Sequence, residues 1–165
     1  MSVSHRVGSD HQLARLLQIG IVLEEVVEAR AHHHYQSMGA EGAELDAEIE
    51  RLLAEAAEES AGHRERLEEL VADLDAESVP FDEVETLVEA QYGRTKPEDF
   101  DGVLYDQLCN EETAYKFYDD LLSAIEASDA QFTVDRDRLL SVLREIREDE
   151  ADGVEEVTTV MERRD

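Results

Sequence analysis

Glutamate is so frequent in this chain that a carboxylate on a solvated face carries no information. The informative polar groups are those that fall where the pattern demands an apolar side chain. At about 100° per residue, Leu139, Leu143, Ile146, Val154, Val157 and Met161 line one stripe of a helix, and Glu150 lies inside it. An ionised carboxylate there is costly unless something positive meets it. No Lys or Arg lies deep in the other stripes, so a metal ion is the economical partner, with a protonated Glu or a water-filled bundle end as the alternative. On another stripe, running through Leu45, Ile49, Leu53, Ala56, Leu67, Val71 and Leu74, the central positions are Ser60 and His63. A lone histidine on an apolar face is more often a hydrogen-bonded core residue. Facing a buried glutamate from a neighbouring helix, it becomes a metal-ligand candidate.

One spacing occurs twice. Glu-x-x-Ala-x-x-x-Tyr appears as Glu28, Ala31, Tyr35 and again as Glu111, Ala114, Tyr118, which suggests an internal duplication of a helical hairpin. Glu24 lies closer than Glu28 to the centre of its helix face, and Gln107 holds the corresponding place four residues before Glu111. His32, His33 and His34 point in three directions around the helix and cannot converge on one ion. His32 shares the side of Glu28 and is an auxiliary candidate. Tyr35 and Tyr118 read as core residues with satisfied hydroxyls, and Cys109 as a small buried apolar residue. A Gly-rich phosphate loop, a Ser-His-Asp order and a basic stripe are all missing from the sequence.

Positioning these groups requires long helices. Helical periodicity predicts segments at about 10–38, 43–76, 97–128 and 133–163, with a short amphipathic helix near 81–92. The links are a few residues, about twenty, then a few. Short links make antiparallel neighbours, so two hairpins are joined by one long crossover. The expected fold is all-α: an up-down four-helix bundle spanning 10–165 as one domain, after a flexible N-terminus at 1–9.

Composition supports that reading and removes others. The chain has 165 residues, 43 Asp and Glu against 15 Lys and Arg, a net charge of −28, no Trp and two Pro. Such a charge repels phosphate backbones and anionic lipid, so neither nucleic acid nor membrane is expected as a partner. One cysteine excludes an intrachain disulfide and any cysteine-rich metal site. No apolar run reaches the length of a membrane span and the start is not a signal peptide, so a cytoplasmic location is expected. Lysine supplies only Lys96 and Lys116 of the fifteen cations. Many acids with almost no lysine resemble halophilic archaeal proteins, in which concentrated salt screens self-repulsion.

From about residue 10 to 161 the sequence resembles the ferritin-like superfamily, especially its rubrerythrin-like branch. In that family the first and third helices each give a Glu, and the second and fourth each give a Glu-x-x-His pair. The resemblance implies Glu28, His63, Glu111 and Glu150 as metal ligands. Ser60 stands where a bridging glutamate belongs and Gly153 where a histidine belongs; Glu59 and Glu24 are the nearest substitutes. The lack of a CxxC pair argues against the rubrerythrin electron-transfer module. The resemblance further implies one or two ions of iron, or manganese or zinc, an oxidoreductase, ferroxidase or peroxidase chemistry, a homodimer and an unidentified electron donor. The alternative is a metal-free helical bundle with a structural or protein-interaction role.

Overall fold

The computed structural model describes residues 7–40, 47–76 and 100–163, with side chains at 7–31, 47–76 and 103–163. Within them lie four helices and no strand: α1 (Asp10–Ala40), α2 (Ala47–Ala72), α3 (Phe100–Glu126) and α4 (Arg136–Arg163). The short helix expected near 81–92 lies outside the described residues. No described helix is long and apolar enough to cross a membrane.

Local chemistry sets the helix ends. Ser9 caps α1 by accepting from the Gln12 backbone N–H at 3.2 Å, while the Gln12 side chain reaches back to the N–H of Gly8 at 2.7 Å. Val7 is buried and its carbonyl accepts from Ser128, so contacts with the bundle begin ahead of Asp10. Helix α4 begins three residues later than periodicity suggests. Thr133 is engaged elsewhere, donating its hydroxyl and backbone N–H to Asp10. The same Asp10 carboxylate accepts the N–H of Asp75, so one acid ties three chain segments together at this end of the bundle. The Thr133 hydroxyl is the main reason its pKa lies below the ordinary carboxylate range.

Helix α1 packs on α2 and α3 packs on α4; α1 also meets α3, and α2 meets α4. Contacts between opposite ends make each of these neighbours antiparallel. Arg30 near the end of α1 pairs with Asp106 near the start of α3 at 3.3 Å, and Arg138 near the start of α4 pairs with Asp73 just past α2. Helices α2 and α3 therefore run in the same direction.

The core follows a seam of alternating three- and four-residue steps, the repeat that keeps one face of a helix turned inward along its length. In α1 it reads Leu13, Leu17, Gly20, Glu24, Val27, Ala31, and in α2 Ile49, Leu53, Ala56, Ser60, His63, Leu67, Leu70. In α3 it reads Leu104, Gln107, Glu111, Ala114, Tyr118, Leu121, Ile125, and in α4 Leu139, Leu143, Ile146, Glu150, Gly153, Val157, Val160. Each seam is apolar except near its middle. The buried apolar residues divide accordingly into a larger cluster around Leu13, Leu70, Leu121 and Leu139 and a smaller one around Ile49, Leu53, Leu104 and Val157. A polar layer lies between them.

Candidate metal centre

Each helix brings its seam interruption to this layer. Tyr118 of α3 donates its hydroxyl to Glu24 Oε1 of α1 at 2.7 Å. The same oxygen lies 3.3 Å from His63 Nδ1 of α2, and that nitrogen lies 3.2 Å from Glu150 Oε1 of α4. The other ring nitrogen, Nε2, lies 2.9 Å from Asp149 Oδ2. Glu24, His63 and Glu150 are all at most 4 % exposed and offer ligand atoms within 4.8 Å of one another. The second Glu24 oxygen, Oε2, is buried with no hydrogen-bond partner. Beside this triad, Glu59, Glu111 and Glu150 form another within the same distance, so Glu150 belongs to both.

Crowding several carboxylates into an apolar layer raises the cost of ionising each. Burial, then the Glu24 charge, pushes Glu150 well above the ordinary carboxylate range. Burial raises Glu111 as well, although hydrogen bonds from Glu150 and Gln107 oppose the rise. Glu59, at the solvent edge, is pushed up to about 7, chiefly by the loss of water on its inner side. For His63 burial disfavours the charged ring, but bonds to Glu24 and Asp149 and the surrounding charge win and raise it to about 9. Tyr118, buried beside Glu24, is held in its phenol form. The His63 ring is the positive group of the layer: among the described residues no Lys or Arg is buried.

Three of the four residues expected as ligands, His63, Glu111 and Glu150, meet in this layer. Glu28 does not. Its carboxylate turns outward to Arg64 at 2.7 Å, because position 28 falls one residue past the seam position held by Val27. Glu24, one turn earlier and on the seam, takes its place. Of the auxiliary candidates, Glu24 and Glu59 each join a triad, whereas His32 lies outside the described side chains.

Compared with known proteins, the chain matches no family model, and no curated protein or solved structure matches it.

Two further residues shape the layer. Asp149 was hidden among the many surface acids, and only its contact with His63 distinguishes it. A carboxylate on the far nitrogen fixes the ring and leaves Nδ1 turned toward the two buried glutamates, the arrangement usual for metal-ligating histidines. Gly153 makes room for Glu111: a Cβ there would lie 2.6 Å from Glu111 Oε2. A histidine at 153 and Glu111 in its present position are mutually exclusive. Gln107 holds the other Glu111 oxygen, donating from Nε2 to Oε1 at 2.9 Å.

Proposed function

We propose that this chain is a ferritin-like metal-binding bundle whose inner site, Glu24, His63 and Glu150, holds a divalent transition ion, iron or manganese. The observation that carries this reading is that Glu24, His63 and Glu150, all buried, bring ligand atoms within 4.8 Å of one another, while the second Glu24 oxygen, Oε2, has no hydrogen-bond partner. Two carboxylates and one imidazole suit a borderline cation, and a bound ion would supply positive charge to the buried carboxylates in place of the proton on the His63 ring. Such an ion would supply one-electron chemistry toward dioxygen or peroxide. The protein's part is to hold the imidazole with Asp149, to hold Glu24 with the Tyr118 hydroxyl, and to shield the site with apolar cores on both sides.

A second reading is favoured by one feature: Glu111 and Glu150 bring carboxyl oxygens within 4.8 Å of each other and burial raises both, so one proton can be held between them. In that reading protons replace the metal and the bundle is a scaffold. Anaerobic loading with ferrous iron, followed by gel filtration and metal analysis, separates the two. The metal reading expects at least one equivalent retained, with loss on His63→Ala in a chain that keeps its helical circular dichroism. Retention near zero by the folded wild type would leave the scaffold.

A further inference from the structure

A cavity of about 70 Å³ lies where α2, α3 and α4 come together beside Gly153. Its polar lining is one-sided. Glu59, Glu111, Asp149 and Asp152 offer carboxylate oxygens, and among the described residues no Lys, Arg, His, Ser, Thr or Tyr lines it. Acids alone would make this an ordinary solvated recess. Gln107 sets it apart. That side chain lines the cavity and is fully buried; its Nε2 is engaged by Glu111, and its Oε1 has no hydrogen-bond partner. A buried amide oxygen left without a donor is costly, so the cavity is short of N–H groups as well as of positive charge. The rest of the wall is apolar: Leu52, Ala56 and Val157, all buried. An ion wrapped in water gains nothing from such a wall, whereas an alkyl group removed from water against it does.

We propose that this cavity binds a small primary alkylammonium ion, its N–H groups on Gln107 Oε1 and the Glu59 and Glu111 carboxylates and its carbons against Leu52, Ala56 and Val157. An ammonium group carries three donors and no acceptor, the complement of an acceptor-only lining. The volume admits about five water-sized groups, enough for the nitrogen and a chain of two or three carbons. A quaternary ammonium ion has the charge but no N–H to give. A hard metal ion takes about six oxygens around it, and the apolar wall supplies none on its side. The net charge of −28 draws any cation toward the protein, so selection rests on the buried oxygen and the apolar wall. None of these groups belongs to the inner triad of Glu24, His63 and Glu150, so the inference stands whether or not that triad holds an ion.

Ethylammonium is the probe, titrated calorimetrically into the metal-free full chain at an ionic strength held constant with sodium chloride. One saturable site is expected, at least ~10-fold tighter than for tetramethylammonium. Gln107→Leu removes the buried acceptor from the α3 seam and is expected to weaken ethylammonium at least ~10-fold. Ala56→Leu fills the cavity from its α2 wall and is expected to abolish binding, with the helical circular dichroism of both variants unchanged. His63→Ala, which takes the inner triad apart, is expected to bind ethylammonium as wild type does, so failure of the metal reading and failure of this one are separate results. Equal binding of ethylammonium and tetramethylammonium by wild type, or wild-type binding by both cavity variants, would assign the signal to surface acids and overturn the site. Absence of a saturable site would overturn it too. So would displacement of ethylammonium by one equivalent of magnesium, which would make the cavity a metal site.

Discussion

The two helical hairpins bring unlike chemistry to one layer. The α1–α2 hairpin supplies Glu24 and His63, both sealed from solvent, with the imidazole held from behind by Asp149. The α3–α4 hairpin supplies Gln107, Glu111 and Glu150, oxygen donors only, beside a glycine that leaves the layer open toward the surface. A duplicated hairpin would be expected to give matching halves. Here the halves differ at the positions that decide ligand type: Glu24 on α1 is answered by Gln107 on α3, and His63 on α2 by Gly153 on α4. A common scaffold fixes where side chains project, and single residues at the seam then decide which donor atoms each side offers.

Glu150 is where the halves meet, and breaking it should have the largest effect. Glu150→Leu is expected to weaken the ion held by Glu24 and His63 by more than ~100-fold. It should also raise the stability of the metal-free chain, because a carboxyl crowded among other buried carboxyls is replaced by apolar volume. Denaturant unfolding with and without manganese reads both consequences. Acidity provides the next contrast. The raised pKa of His63 contributes stability that is complete below about 6.5 and is lost as pH rises through about 9. The raised values of Glu111 and Glu150 act in the same direction, since the unfolded chain releases those protons first. The metal-free melting temperature should therefore fall steadily from pH 5.5 to 9, the His63 part alone being ~3 kcal/mol. Saturating metal, which displaces the protons, should flatten or reverse that slope. Thermal melts monitored by circular dichroism at three pH values suffice.

Smaller changes sharpen the difference between the sides. Asp149→Asn should weaken the ion at His63 about 10–100-fold, measured by competition with a chelator. Tyr118→Phe removes one donor from Glu24 and should cost about 1–2 kcal/mol in unfolding free energy. Glu28→Ala breaks a part-exposed pair with Arg64, and should cost less than about 1 kcal/mol without altering metal uptake.

The all-helical architecture and the inward groups of α2 and α4 were legible because long stripes tolerate few interpretations. His63 and Glu150 interrupt apolar runs on both sides, so any placement of the helix axis turns them inward. The first helix was harder. A stripe drawn through Leu16 and Leu23 leaves Glu24 off-centre, and the repeated Glu-x-x-Ala-x-x-x-Tyr spacing favours Glu28. The alternating seam through Leu13, Leu17 and Gly20 predicts Glu24 instead, and Leu16 proves only partly buried. Gly20 sits where α1 approaches its neighbours closely, a Cβ there lying 3.2 Å from the Phe117 ring and 3.3 Å from Leu67. No periodicity distinguishes Asp149, whose role depends on a rotamer reaching an imidazole across the helix interface. The opening beside Gly153 likewise exists only once α3 delivers Glu111 to it.

The most direct test is an anomalous difference map at the iron edge from crystals loaded anaerobically with ferrous ion. A peak within about 2.5 Å of His63 Nδ1 and of carboxylate oxygens of Glu24 and Glu150 is the predicted result. Iron confined to surface carboxylates, with the His63 ring still flanked only by Glu24, Asp149 and Glu150, would contradict it.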